Sequence, residues 1–140
     1  MAVYNHDLIL EGFKRPRRKK LKPVVLTVSE VRKIAISAEN LKHRLMIELA
    51  YTAGLRVSEL VVVKVQHMNL DKLMLFVPGL GKLGARTTIF SGGLKDALQR
   101  QVGNKKPGDY LFPSERGGYL TTRSVTKFFK IGRASCRERV

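Results

Sequence analysis

An arginine and a glutamate lie three residues apart in the segment GLRVSEL, at Arg56 and Glu59. On a helix such residues are neighbours, so the guanidinium and the carboxylate can form a pair. A solvent-exposed pair of this kind contributes less than about 1 kcal/mol to stability. The alternative is a buried guanidinium, oriented by the carboxylate and aimed at an anion, because the planar fork of arginine grips two phosphate oxygens at once. The local sequence leaves both interpretations open.

A second candidate cation, Lys82, lies in the glycine-rich stretch GLGKLG, residues 79–84. The spacing matches G-x-G-x-x-G, but a dinucleotide site needs a helix to begin at the loop, and the strand-like RTTIF follows instead. A phosphate loop of the GxxxxGK[ST] type fails too, because Phe76 and Leu83 occupy the positions of its first glycine and its hydroxyl. The stretch therefore predicts a hairpin tip bearing one lysine, which is either functional or simply solvated.

The charge of the chain points to a polyanionic partner. Its 140 residues have a formal net charge of +16, and 44% of them are hydrophobic, which predicts one globular domain. Nucleic acid is the leading partner for such a charge and an anionic membrane surface is second. The segment KRPRRKKLK at Lys14–Lys22 has seven cations in nine positions. It predicts a basic linker that contacts DNA or a disordered solubilising arm, and its candidate contacts are Lys14, Arg15, Arg17 and Arg18.

Targeting signals and cysteines bound the location. No signal peptide opens the chain, and no apolar run approaches the roughly 20 residues of a membrane span. The single cysteine, Cys136, forms no disulfide framework, which fits a reducing compartment. We therefore expect a cytoplasmic protein with no membrane partner.

The segments around the first candidate pair have helical signals. Thr27 and Glu30 form a capping-box pattern, followed by apolar residues at helical spacing. A second helix is predicted over Leu41–Ala53, with Gly54 just past its end, and a short third helix over Val57–Val63.

The segments around the second candidate cation predict strands. Leu73–Val77 and Arg86–Phe90 are short apolar or β-branched runs joined by the glycine-rich loop, which predicts an antiparallel hairpin. A fourth helix is predicted over Gly93–Val102, and a last one follows a cap at Thr121 or Thr122. The predicted fold is mainly α with a small antiparallel β-sheet, an α+β domain.

The last ten residues, Ile131–Val140, have no apolar period. One set of codons for IGRASCRERV resembles a common short-read sequencing adapter read in frame. We therefore predict that this segment is an artefact with few contacts and no defined packing, and that the native chain is interrupted in mid-domain. An ordinary basic tail is the alternative.

The span from Pro23 to about Lys130 resembles the catalytic domain of the tyrosine recombinases, the phage integrase family, and most closely its Xer-like branch. The matching pieces are VLTVSEV, NLKHRLMIELAYTAGLRVSEL, the hairpin GK, LFPS and GGYLTTRSVTKFFK, in the family's order and at near-family spacing. The resemblance implies that residues 1–22 are the end of an upstream domain plus a basic linker. Residues 23–130 are then a partial catalytic domain, truncated at its C-terminus.

The resemblance also implies roles for the candidate cations. Arg56 corresponds to the arginine that binds the scissile phosphate, and Glu59 to the glutamate that supports it. We therefore expect Arg56 to be largely buried, with its guanidinium near Glu59 and facing the same cleft as Lys82. Lys82 corresponds to the general acid for the 5′ leaving oxygen, with Arg86 as the alternative cation because GKLGAR is one residue shorter than the usual GKGxKxR. Arg86 is also a candidate DNA contact. Attack by a tyrosine keeps the bond energy as a phosphotyrosine, so neither cofactor nor metal is needed.

Two further family features should follow the last helix, beyond Lys130: a His-x-x-Arg motif and the nucleophilic tyrosine. None of the four tyrosines occupies that place; they are Tyr4, Tyr51, Tyr110 and Tyr119. The resemblance thus implies a site-specific recombinase, here as a fragment that we expect to be inactive alone. A non-catalytic DNA-binding module from a decayed integrase is the alternative.

The last helix is the element that enters a DNA groove in the family. Its candidate DNA contacts are Thr121, Thr122, Arg123 and Lys127, which suit phosphates and base edges. The same helix could instead be an ordinary amphipathic helix. The implied partner is double-stranded DNA, on which the full-length protein is expected to be a tetramer.

Overall fold

Helices dominate the computed structural model, which describes residues 16–79, 82 and 84–138, with side chains up to residue 134. The α-helices are α1 (Val28–Ser37), α2 (Leu41–Ala53), α3 (Val57–Val61), α4 (Lys95–Val102) and α5 (Thr122–Glu138). The strands are β1 (Met68–Asn69), β2 (Met74–Val77) and β3 (Arg86–Ile89), in one antiparallel sheet of order β1-β2-β3. The predicted fold class, mainly α with a small antiparallel sheet, is confirmed.

Helix ends follow the local sequence closely. The Thr27 hydroxyl accepts the Glu30 amide at 3.3 Å, and the Glu30 carboxylate accepts the Thr27 amide at 2.7 Å, so the capping box that begins α1 is present. Helix α2 ends at Gly54, whose φ of 64° and ψ of 39° are left-handed values that glycine adopts without steric cost. Both predictions are confirmed.

Helix α3 is shorter than predicted and ends at Val61 rather than Val63. The Val63 carbonyl accepts the Leu111 amide at 2.8 Å, and the Val65 amide donates to the Asp109 carbonyl at 3.0 Å. The chain leaves the helix to pair with the loop after α4, a long-range contact that propensity does not report.

The hairpin of β2 and β3 alternates between its two faces. Leu75 and Val77 are buried, whereas Met74 and Phe76 are exposed, the period of two expected of a half-buried strand. The register pairs Val77 with Arg86, at the base of the glycine-rich loop. The predicted antiparallel hairpin is confirmed, and β1 was missed because it has only two residues.

Two apolar clusters make the core. The larger contains buried side chains of α2, α3, α4, α5 and the hairpin, among them Leu45, Leu49, Leu60, Leu75, Leu98, Phe112 and Val125. The smaller joins α1 to α2 through Val31, Ile34, Ala35 and Ile47. Phe128 of α5 packs against both clusters, so α5 ties the two parts of the core together.

Helix α5 continues into the segment for which no defined packing was predicted, and that prediction is wrong for residues 131–134. Gly132 is buried, and a Cβ there would lie 3.3 Å from Ile34 Cγ2. The Ser37 hydroxyl donates to the Gly132 carbonyl at 3.2 Å. Glycine lets α5 approach α1 closely, while Ile131 stays 60% exposed. The adapter origin of the segment remains a prediction.

Candidate active site

Three residues, Gly54–Arg56, turn the chain from α2 into α3 and are called the elbow below. The Leu55 amide donates to the Ala50 carbonyl at 3.0 Å, which closes the end of α2, and the Leu55 side chain is buried. Arg56 is the N-cap of α3, with extended φ of −73° and ψ of 153°. The elbow thus places Arg56 immediately before the first residue of a new helix.

Glu59 lies beneath the elbow with only 2% of its surface exposed. Its Oε2 accepts the Arg56 backbone N–H at 2.8 Å. Arg86, the first residue of β3, donates from Nη1 to Oε1 at 2.5 Å and from Nη2 to Oε2 at 2.9 Å. The buried carboxylate is therefore gripped in bidentate fashion by an arginine 27 residues away in sequence.

Arg56 was predicted to be largely buried with its guanidinium near Glu59, and the predicted burial is wrong. Arg56 is exposed, and its guanidinium makes no hydrogen bond or ion pair with another residue that the structure describes. The spacing of three applies to two residues within a helix, whereas Arg56 is the N-cap. From the third helical position a glutamate reaches back to the N-cap amide instead.

The charge on Glu59 is stabilised by its partners. Hydrogen bonds from the Arg86 guanidinium hold the pKa of Glu59 below its usual value, and the Arg56 amide adds to this effect. Burial acts in the opposite direction, because it disfavours a charged carboxylate. Glu59 is therefore an ionised, fully engaged acceptor at neutral pH.

Alternate side chains of β3 attach the hairpin to the end of α2. Arg86 Nη2 donates to the Gly54 carbonyl at 3.2 Å, and Thr88 Oγ1 donates to the Ala53 carbonyl at 2.8 Å. These carbonyls lie at the C-terminal end of α2, where the helix itself supplies no donor. The hairpin is thus fixed to the elbow by the two inward-facing residues of one strand.

Lys82 is exposed in the loop between β2 and β3. Its neighbours Leu80, Gly81 and Leu83 lie outside the described residues. The prediction that Lys82 and Arg56 face one cleft stays a prediction.

The N-terminus of α5 is capped by Thr121, which resolves the choice left open between Thr121 and Thr122. The Thr121 hydroxyl accepts the Ser124 amide at 3.2 Å and lies 2.9 Å from the Ser124 hydroxyl. Thr122, Arg123 and Lys127 are exposed. Val125 is buried and faces the core, so the helix is amphipathic and still presents its candidate DNA contacts to solvent.

Of the candidate cations in the basic linker, Arg17 and Arg18 are exposed. Lys14 and Arg15 lie outside the described residues. Arg17 and Arg18 are thus accessible to solvent. The DNA contacts of the linker stay a prediction.

A second group of cations, not recognised from the sequence as a unit, holds the segment Leu111–Ser114, called the LFPS loop below. Lys105 Nζ donates to the Leu111 carbonyl at 3.0 Å and to the Gln101 carbonyl at 2.5 Å. Lys42 Nζ donates to the Pro113 carbonyl. Burial lowers the pKa of both lysines. No local signal links these lysines to the loop.

Two kinds of feature are missing from the described part of the chain. No three histidine, cysteine, aspartate or glutamate side chains there cluster as metal ligands. No helix there is both long enough and apolar enough to span a bilayer.

A cavity of about 490 Å³ between the N-terminal segment and α1, α2, α3 and α5 is lined almost entirely by apolar side chains, so it supplies no phosphate ligand.

Comparison with solved structures defines the class of fold. The crystal structure of XerA recombinase superposes with a TM-score of 0.70 at 22% identity, covering 88% of this chain and 46% of that one. The integrase from mycobacterium phage Brujita superposes with a TM-score of 0.66 at 24% identity, covering 89% and 42%. The described elements therefore have the fold of recombinase and integrase domains.

Sequence comparison gives the family. Residues 24–135 match the profile of the phage integrase family. Tyrosine recombinase XerA of Pyrococcus horikoshii is 40% identical over 112 residues, which cover 79% of this chain and 39% of that protein. Tyrosine recombinase XerD of Listeria innocua is 29% identical, covering 90% and 46%. The chain belongs to the phage integrase family, and it spans less than half the length of these relatives.

Proposed function

We propose that this chain is the phosphate-binding part of a tyrosine site-specific recombinase, an enzyme that cleaves and rejoins DNA strands through a phosphotyrosine. One observation carries the proposal. Arg56 projects from an elbow whose backbone is held by a buried carboxylate, and its guanidinium has no described protein partner. An arginine arranged in this way is available to an external anion, and a phosphate suits its planar fork.

The chemistry assigns a task to each cation. Attack on a phosphodiester gathers negative charge on the non-bridging oxygens, and a preorganised donor there contributes about 10²- to 10³-fold in rate by analogy with oxyanion holes. Arg56 takes this role. Lys82 donates a proton to the departing 5′ oxygen, a contribution of about 10²- to 10⁴-fold. Glu59 supports Arg56 through the backbone N–H rather than through the guanidinium.

Duplex DNA is the partner that the charge supports, given the net charge of +16. The exposed residues Thr122, Arg123 and Lys127 of α5 contact the duplex, with the linker cations on the flanking phosphates. Thr121 contributes mainly as the helix cap, because its hydroxyl is engaged with Ser124. The full-length protein works as a tetramer on DNA in the cytoplasm, with neither cofactor nor metal.

The chain as given lacks the nucleophile and binds DNA without cutting it. Tyr51 lies on α2, and Tyr110 and Tyr119 contact each other with ring centroids 5.6 Å apart. None of them follows α5, where the family's tyrosine is expected. Tyr4 lies outside the described residues.

A nicked suicide substrate tests the proposal. The chain is incubated with nicked and intact duplexes, binding is measured across a salt series, and adducts are sought on a denaturing gel. We expect affinity to fall with salt at a log–log slope of roughly 0.9 per phosphate contacted, and no adduct. Salt-insensitive binding would refute the phosphate contacts, and an adduct through any tyrosine would refute the missing nucleophile. An in-frame His-x-x-Arg motif and tyrosine further along the source DNA would favour the enzyme over a decayed binding module.

A further inference from the structure

We propose that Arg86 is a positioning residue, which places Arg56 relative to the base of the β2–β3 hairpin and does not contact DNA. The inference rests on the proposed function, because it assigns Arg86 a part in that site. From the sequence, Arg86 is a candidate DNA contact or an alternative catalytic cation. The geometry around its guanidinium points elsewhere.

One guanidinium holds both sides of the elbow. Arg86 Nη2 donates to the Gly54 carbonyl at 3.2 Å, before the elbow turns, and both Nη atoms donate to Glu59 just after it. Arg56 lies between these points and donates its own N–H to the same carboxylate at 2.8 Å. The backbone from which the Arg56 side chain projects is therefore clamped at both ends through Arg86.

The same arginine anchors the hairpin loop. Arg86 follows Lys82 by four residues and opens β3, where it pairs with Val77 at the end of β2. Thr88, two residues further along β3, holds the Ala53 carbonyl. Because the loop begins and ends at this pair, the contact of Arg86 with the elbow fixes the base of the loop that carries Lys82.

The electrostatics disfavour a phosphate on Arg86. Its charge is compensated by a carboxylate that is 2% exposed, and both of its Nη atoms already donate to protein acceptors. A phosphate drawn to this guanidinium would meet the negative charge of Glu59 at close range. The Arg86 side chain is nevertheless 39% exposed, so contact with DNA is sterically open and needs a direct test.

A double-mutant cycle on duplex affinity separates the two roles. The variants are Arg86→Gln, Arg56→Gln and the double variant, with Arg100→Gln on α4 as an exposed control for the loss of one charge. We expect Arg56→Gln to weaken binding about tenfold, the loss for one hydrogen bond to a charged group. Arg86→Gln should weaken it less, and the double variant should bind like Arg56→Gln alone. Effects that multiply would show that Arg86 contacts DNA itself and would overturn the proposal.

Arg86→Lys keeps the charge but lacks the planar fork that spans two oxygens. We expect it to bind DNA like Arg86→Gln. Recovery of full affinity would show that a positive charge without the fork is sufficient at this position, which would contradict the bidentate clamp. It also serves as the second variant should Arg86→Gln fail to fold.

A spectroscopic measurement tests the clamp without DNA. The Arg56 amide proton resonance is followed by NMR from pH 7 downwards, since it reports ionisation of the Glu59 carboxylate that it contacts. In Arg86→Gln the midpoint should move to higher pH, because the main cause of the low pKa of Glu59 is gone. An unchanged Arg56 resonance and midpoint would overturn the clamp. If the unaltered chain fails to bind DNA, the proposed function fails, while this measurement still decides what Arg86 holds.

Discussion

The elbow and the LFPS loop are both held by basic side chains, but their acceptors differ. At the elbow, Arg86 meets a buried carboxylate in a bidentate pair. At the LFPS loop, Lys42 and Lys105 donate to neutral backbone carbonyls, and neither takes part in an ion pair among the described residues. The pair that holds the elbow is neutral overall, whereas the lysines that hold the LFPS loop have no carboxylate partner among the described residues.

The difference separates two uses of a basic side chain. The Arg86–Glu59 pair fixes the backbone at Arg56 and leaves the Arg56 guanidinium exposed. Lys42 and Lys105 hold backbone carbonyls of the LFPS loop, and burial lowers the pKa of each. Under the proposed function, Arg56 is the group that the first arrangement leaves available to an anion.

The largest expected effect comes from Arg86→Ala, which leaves Glu59 buried without its partner. We expect a loss in the free energy of unfolding at pH 7 that exceeds the roughly 1 kcal/mol of an exposed pair, because Glu59 stays buried although the Arg86 side chain is 39% exposed. The pKa of Glu59 should be higher in the variant than in the unaltered chain, because its main lowering cause is gone. The unaltered chain then loses its advantage as the pH falls towards and below 4.5, so urea denaturation at pH 7 and pH 4 should show a smaller difference between the two chains at pH 4. A loss below about 1 kcal/mol, like that of an exposed pair, would contradict the account.

The pH dependence at the acid end should follow Glu59. Because its pKa in the folded chain is lowered from 4.5, its contribution is complete above pH 4.5 and is lost as pH falls through the folded pKa. Glu59→Gln should remove about 2 kcal/mol at pH 7, the value of a charged hydrogen bond, and flatten the acid limb. The control is Glu30→Gln, which removes a second described carboxylate whose pKa is lowered. An acid limb unchanged in Glu59→Gln would show that Glu59 does not titrate as described.

A smaller effect is expected at the LFPS loop from Lys105→Met, which keeps an apolar stem but removes the donor to Leu111. We expect a loss of about 1.5 kcal/mol at pH 7, the lower end of the range for a hydrogen bond that involves a charged group. The folded pKa of Lys105 is lowered from 10.5, so the unaltered chain should gain stability as pH rises towards 10.5, and the variant should gain less. Lys106→Met, at an exposed neighbour, should change neither quantity. Equal effects in the two variants would show that the hydrogen bonds of Lys105 contribute no more to stability than the exposed side chain of Lys106.

The smallest effect is expected at the N-terminus of α5, where the uncharged side chain of Thr121 caps the helix. Thr121→Ala should cost about 1 kcal/mol in the free energy of unfolding, because the Ser124 amide loses its acceptor. Thr122→Ala, at the first residue of α5, should cost only a few tenths of a kcal/mol. A change of that size is about the precision of denaturant unfolding. The reverse order would move the cap to Thr122.

Elements set by short-range chemistry were predictable from the sequence. The capping box at Thr27, the glycine that ends α2 and the β2–β3 hairpin each depend on residues close together in the chain. The partner of Glu59 was not predictable, because Arg86 lies 27 residues away and meets it only when the hairpin docks on the elbow. The packing of Gly132 on α1 was missed for the same reason, since a small residue has no apolar period to detect.

The candidate site also divides into features that depend on neighbouring residues and features that depend on long-range contacts. The resemblance supplied Arg56, Glu59 and Lys82 as candidates, and local spacing suggested the wrong internal pair. Which arginine is engaged and which is exposed depends on where α3 begins. Arg56 is the N-cap and Val57 the first helical residue, so the Glu59 carboxylate meets the Arg56 backbone N–H.

The most direct test of the central claim follows the Nε–Hε resonances of Arg56 and Arg86 by NMR as a short duplex is added. We expect the Arg56 resonance to shift and to gain protection from exchange as its guanidinium takes up a phosphate. The Arg86 resonance should keep its position, since that guanidinium stays on Glu59 and Gly54. A shift at Arg86 with no change at Arg56 would contradict the account.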